Sequence, residues 1–142
     1  MAESDLGLLL KKINESLARR ANANLLAQDL TFAQMHVLAR LHHAPGYTLR
    51  LKEIESCFCL AQSTVAGLAS RLEKKGLVAT LPDPEDRRVK RIRLTERGVQ
   101  VCRQGRENFR RSEEMLVSRL TVEEQTELHR LLTIVYDTVQ EE

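Results

Sequence analysis

The sequence predicts a mainly α-helical chain with a small β-wing, flanked at both termini by helices suited to association. Three observations predict it: an apolar stripe on an otherwise polar helix, a basic hairpin directly after it, and further apolar stripes near each end. The first two lie within residues 61–95. Val65, Leu68, Ala69 and Leu72 recur there at i, i+3, i+4 and i+7, the spacing that puts side chains on one face of a helix. Gln62, Ser63, Thr64, Gly67, Ser70, Arg71 and Lys74 fall away from that stripe. Gly76 follows Lys75 as a helix stop, because a residue without Cβ turns left-handed at little cost. Leu77, Val78 and Ala79 then read as a short strand, Pro82 to Asp86 as a turn, and Val89 to Leu94 as the return strand.

The stripe itself is core. Any function rests on the opposite helix face and on the hairpin. From Asp86 to Arg93, five of eight residues are cations (Arg87, Arg88, Lys90, Arg91, Arg93). Such crowding on a short ribbon is self-repulsive unless a polyanion meets it. Residues 71–97 hold nine Lys/Arg against five Asp/Glu, and residues 113–142 hold two against eight, so the net charge of +2 hides a polar distribution. One face suits a polyanion and another is kept off it. Aromatic residues make up only 4% and there is no Trp, which leaves few platforms for stacking single-stranded bases. Double-stranded DNA is the polyanion these features favour.

The remaining elements follow in order. Ser4 or Asp5 caps a first helix reaching about Ala27, with Leu6, Leu9, Leu10, Ile13 and Leu17 along one face and Ala21 and Leu25 continuing it. Thr31 and Gln34 form a capping box that opens a helix carrying Met35, Val37, Leu38 and Leu41 and ending near His43. Pro45-Gly46 breaks it. A short helix from about Leu49 to Cys57, with Leu51, Ile54 and Phe58 inward, precedes the Cys59-Leu60-Ala61 turn, which completes a helix-turn-helix. After the wing, Thr95 caps a long helix to about Arg119, with Val99, Cys102, Phe109, Leu116 and Leu120 as its sparse apolar face and Gly105 as a bend. A second capping box at Thr121 and Glu124 opens a last helix lined by Leu128, Leu131, Leu132, Val135, Tyr136 and Val139. The two terminal stripes can bury each other within one chain or bury a second subunit.

The run Ser63-Thr64-Val65, Arg71-Leu72-Glu73-Lys74-Lys75-Gly76-Leu77-Val78, Asp83-Pro84-x-Asp86-Arg87-Arg88 and Arg91-Ile92-x-Leu94-Thr95-x-x-Gly98 resembles the MarR family of bacterial regulators. Residues from Asp86 to Thr95 fit that family's wing pattern of D-x-R, five residues, then L-T. The resemblance implies one MarR-type domain over 1–142, a winged helix-turn-helix DNA-binding core over 31–97, and dimerisation helices over 1–28 and 98–142. It also implies a homodimer on a pseudo-palindromic operator, a repressor role and release by a small organic effector. Position alone then nominates Ile13, Leu17, Phe32, His36 and Phe109 as bordering an effector cleft, although each also suits ordinary core.

Base reading and backbone anchoring belong to different residues. Gln62, Ser63 and Thr64 in the first helical turn can reach base edges, Gln pairing well with adenine; Ser63 serves equally as a helix cap. Arg71, with Lys74 and Lys75 more weakly, suits phosphates. The resemblance sends Arg88 to the minor groove with Asp86 holding it, and a narrow minor groove does attract Arg. Arg87, Lys90, Arg91 and Arg93 then meet phosphates, while Asp83 and Pro84 form the turn. Gly67 departs from the larger polar or basic residue many of that family carry, so base reading shifts toward the first turn.

Other functions find less in the sequence. There is no phosphate-cradling glycine loop, nucleophile elbow or zinc-protease motif, so an enzyme is not expected. No cofactor is expected either: His36, His42, His43 and His129 with Cys57 and Cys59 lack metal-ligand spacing. The three cysteines, Cys57, Cys59 and Cys102, fit no disulfide framework and read as reduced thiols. Redox sensing through Cys57 or Cys59 is an alternative, and a winged helix acting as a protein adaptor is another. The start of the chain lacks the pattern of a secretory signal and no stretch is long enough to cross a bilayer, so a cytoplasmic location is expected.

Overall fold

The computed structural model describes residues 5–141, which form two compact units, one reaching to Asn108 and the other from Phe109 onward. The first contains α1 (Leu6–Ala27), α2 (Phe32–His43), a 3-10 turn (Pro45–Tyr47), β1 (Thr48–Arg50), α3 (Leu51–Phe58), α4 (Gln62–Lys74), β2 (Val78–Pro82) and β3 (Lys90–Leu94). Helix α5 (Glu96–Leu116) spans the boundary, and α6 (Val122–Gln140) lies in the second unit. No helix among the described residues is long and apolar enough to cross a membrane.

The starts of α1, α2, α5 and α6 are where the sequence says they are. Asp5 caps α1 by accepting the Leu8 N–H at 3.0 Å, while Ser4 lies outside the described residues. Both capping boxes form, Thr31 with Gln34 and Thr121 with Glu124, each satisfying backbone donors that a helix start leaves open. Thr95 accepts the Gly98 N–H at 3.1 Å and donates to the Gly76 carbonyl at 2.7 Å, so the start of α5 is tied to the end of α4. A Cβ at Gly98 would stand 2.1 Å from the Leu77 carbonyl oxygen; only glycine lets the two backbones approach so closely.

Helix α4 ends in a Schellman motif. Leu77 N–H reaches the Leu72 carbonyl at 3.0 Å, Gly76 N–H reaches Glu73 at 2.9 Å, and Gly76 takes φ +75°. The chain leaves directly into β2. The sheet order is β1-β3-β2, antiparallel throughout, with Leu49 and Thr80 flanking Ile92 and Arg50 and Leu81 flanking Arg91. That register puts Leu49, Ile92 and Leu94 on the inner face and Arg91 and Arg93 on the outer one.

The core gathers the stripes of three helices and this inner face: Leu38, Leu41, Ile54, Leu72 and Ile92 are fully buried, and Val65, Leu68 and Ala69 complete the α4 stripe. Burying each such large side chain contributes roughly 1.5–3 kcal/mol. By contrast, Leu6, Leu9, Leu10 and Ile13 of α1 remain exposed, as do Leu131, Leu132, Val135, Tyr136 and Val139 of α6.

Four expectations are corrected. The segment before α3 is not helical from Leu49: residues 48–50 form β1, because the backbone of β3 is there to pair with. Helix α5 stops at Leu116 rather than Arg119, with a turn through Ser118, whose N–H bonds the Met115 carbonyl. Gly105 does not interrupt α5; it makes room for Met35, whose Cε would lie 2.6 Å from an added Cβ. Ser63 is not the cap of α4, since Ala61 occupies that position.

Candidate nucleic-acid interface

Burying Val65, Leu68, Ala69 and Leu72 leaves the opposite face of α4 outward. Gln62, Ser63, Thr64, Arg71 and Lys74 are all exposed. Ala61 offers no side-chain cap, so the first-turn N–H groups of α4 are available to an outside acceptor such as phosphate. Gly67 is half-buried, and a Cβ there would meet no atom within 4 Å. No neighbouring side chain therefore requires glycine at this position.

The wing carries its cations on a constrained turn. Asp83 N–H bonds the Val89 carbonyl at 2.8 Å and Val89 N–H bonds that of Asp86 at 2.9 Å, closing the hairpin. Asp86 accepts both the Arg88 backbone N–H at 3.1 Å and its Nε–H at 3.2 Å, with Nη2 at 3.4 Å from the other carboxylate oxygen. These bonds, side chain first, hold the Asp86 carboxyl below the usual range. Arg88 itself is 91% exposed, so a carboxylate steadies a guanidinium that projects into solvent. Such pre-ordering lowers the entropy lost when the guanidinium binds.

Arg71, Lys74, Arg87 and Arg93 are exposed and make no ion pair among the described residues. Lys90 is exposed on the inner side of the ribbon, near enough to Glu73 to influence it. Glu73 accepts the Thr80 N–H at 2.8 Å and so ties α4 to β2. Arg91 differs from the other cations: it is half-buried opposite Arg50, and its Nε has no partner among the described residues.

Lys75 is not a free phosphate ligand. Its ammonium donates to the Asp29 carbonyl and to Gln34 Oε1 at 3.0 Å, with the Asp29 carboxylate at 3.8 Å. Gln34 is buried and its Oε1 also accepts the Thr31 N–H at 3.2 Å. One carboxamide thus joins the α2 capping box to the C-terminal end of α4. Nothing local in the sequence announces this node, since Lys75 and Asp29 are 46 residues apart.

The nominated effector residues divide. Phe32 and His36 meet edge to face at 6.1 Å between ring centres, and His36 stacks on Phe58 at 6.4 Å. Phe58 was expected only as core. Ile13 is exposed and Leu17 half-buried on α1, while Phe109 belongs to the second unit. Among the thiols, Cys57 in the last turn of α3 and Cys59 just after it are exposed, and Cys59 takes φ +52°. Cys102 is buried and its Sγ lies 3.4 Å from the Leu38 carbonyl oxygen; burial pushes its pKa up to about 11. No group of three or more metal-ligating side chains gathers among the described residues.

Comparison with known proteins decides the family. The MarR family model matches residues 30–90, from the end of the α1–α2 loop to the start of β3. Over 100 residues the chain is 33% identical to the multiple antibiotic resistance protein MarR of Escherichia coli, covering 70% of this chain and 67% of that one. The chain belongs to the MarR family. It is also 31% identical over 90 residues to the HTH-type transcriptional repressor IacR of Pseudomonas putida, 63% of this chain and 54% of that one. In structure it is similar to S. aureus MepR in its DNA complex, with TM-score 0.83 and 28% identity over 94% of this chain and 98% of that one. MarR-family members are transcription regulators rather than enzymes, and this one is a DNA-binding regulator with a winged helix-turn-helix.

Proposed function

We propose that the chain is a cytoplasmic repressor that binds a pseudo-palindromic operator as a homodimer and leaves it when a small organic effector binds. The observation that carries the DNA-reading geometry is the Asp86–Arg88 pair, a steadied but 91% exposed guanidinium on the ribbon that follows a polar-faced helix. In this reading Arg88 enters the minor groove, and Gln62, Ser63 and Thr64 read base edges. Arg71, Lys74, Arg87, Lys90 and, less accessibly, Arg91 meet phosphates. The exposed apolar faces of α1 and α6 support a second copy as the partner that covers them. A two-fold dimer sets its two recognition helices about 34 Å apart, one turn of DNA.

For the effector, the Phe32–His36–Phe58 cluster is the best supported part of a binding surface, with Ile13 and Leu17 of the same unit as weaker members. An aromatic organic molecule stacks on such rings. To release DNA it must bind the DNA-free state more tightly than the bound one.

A mobility-shift titration with the duplex upstream of its own coding sequence, against random duplex, tests the regulatory reading. Saturable binding that survives random competitor supports it; equal affinity for both sequences contradicts it. The exposed Cys57 and Cys59 favour thiol control as a second reading. Peroxide treatment that abolishes binding in the native chain but not in a Cys57→Ser, Cys59→Ser variant would support that reading.

A further inference from the structure

We propose that Arg50 is a positioning residue for the wing: it pins Asp83, and Asp83 fixes the turn that presents Arg88. This rests on the reading of the wing as a DNA contact.

Arg50 ends β1 and directly precedes α3, and its N–H is held by Glu53 Oε1 at 3.2 Å. It is thus anchored both to the sheet and to the helix-turn-helix. From there its Nε donates to Asp83 Oδ2 at 2.8 Å, across 33 residues of sequence. Asp83 is the one charged side chain buried among the described residues, at 3% exposure. A carboxylate so buried is tolerated only when paired and hydrogen-bonded. Its other oxygen accepts the N–H of Glu85, the residue directly before Asp86, at 2.8 Å. Asp86 then holds Arg88 through its own carboxylate.

The series runs from the frame to the tip: Arg50, Asp83, the Glu85 amide, the adjoining Asp86 with its carboxylate, and Arg88. A two-stranded ribbon joined at one end has little rigidity of its own. The Arg50–Asp83 bond attaches its turn to β1, the strand on the far side of β3 from β2. Arg50 also faces Arg91 directly across the sheet, an unfavourable like-charge pairing. The carboxylates of Asp83 and, at 3.9 Å, Glu85 offset it. Nothing in the local sequence around Arg50 distinguishes it from a solvated cation.

The test uses the full chain with Arg50→Gln, Arg88→Ala, the double variant and Asp83→Asn. Amide hydrogen exchange without DNA is expected to show faster exchange at Glu85 in Arg50→Gln and Asp83→Asn, with amides 62–74 unchanged. On the upstream duplex, Arg50→Gln is expected to weaken binding about tenfold and to add nothing once Arg88 is Ala, the non-additivity of residues acting in one series. Arg50→Lys, which keeps the charge but not the fork, is expected to fall between the two. Unchanged wing exchange in both Arg50→Gln and Asp83→Asn would overturn the proposal. So would a loss from Arg50→Gln that adds fully to that of Arg88→Ala, which would mark Arg50 as a separate phosphate ligand. Undiminished affinity in Arg88→Ala would remove the wing reading itself, a distinct result because the exchange data do not involve DNA.

Discussion

At the scale of single residues, the chemistry of the wing comes down to two carboxylates and the cations they hold. Arg88→Ala is expected to weaken operator binding by about 1–3 kcal/mol, while loss of one phosphate cation lowers the salt slope by about one charge and weakens all sequences alike. Titrations of Arg88→Ala and Arg87→Ala at several salt concentrations separate the two roles. Both wing aspartates also set a pH window. Asp83 is held below its ordinary value of 3.8 chiefly by the Glu85 N–H and then by Arg50, and Asp86 by Arg88. A carboxyl with a lower pKa in the folded state contributes fully above its unfolded value and loses that contribution as pH falls through the folded one. Wing amide protection is therefore expected to hold steady from about pH 8 to about pH 5 and to decay only below the ordinary aspartate range. Decay already near pH 6 would show that other groups hold the turn.

At the scale of elements, the recognition helix is fixed on every side that does not face outward. Its stripe is buried, Glu73 binds β2 through Thr80, and Lys75 binds the α1–α2 loop. Leu72→Ala removes a fully buried side chain at the centre of this arrangement, and is expected to destabilise the fold by about 2–5 kcal/mol in denaturant unfolding. A loss under about 1 kcal/mol would mean that the core collapses around the gap. Most elements were legible in the sequence because each carries its own signal: capping boxes at Thr31 and Thr121, a period of 3.6 in α4, and Gly76 at a forced left-handed position. What was hidden depends on contacts between distant segments. Three residues of β1 are too few to show a strand period, and they are a strand only because β3 lies beside them. Lys75 looked like another helix-end cation until Asp29 and Gln34 were placed next to it. For Asp83 the turn motif gave half the role, and Arg50 supplies the rest from 33 residues away.

At the scale of the whole molecule, the surface has two characters: a polar and basic reading face, and apolar faces on α1 and α6 that lack cover in one copy. The second character supports a dimer, because exposed apolar stripes of this extent are uncommon on monomers. If a second copy covers them, the midpoint of thermal unfolding rises with protein concentration, and Leu131→Glu with Val135→Glu lowers the association seen by sedimentation. A concentration-independent midpoint and a monomer in sedimentation would contradict the dimer. The family match over residues 30–90 includes nearly all of the proposed reading face. Of the residues proposed for an effector, Phe32 and His36 meet, and Phe58 joins them where sequence placed only core. Hydroxyl-radical footprinting of the chain on its upstream duplex tests the central claim most directly. The account expects two protected half-sites about one helical turn apart, flanked by minor-groove protection that disappears in Arg88→Ala. A single protected patch, or flanking protection unaffected by Arg88→Ala, would contradict it.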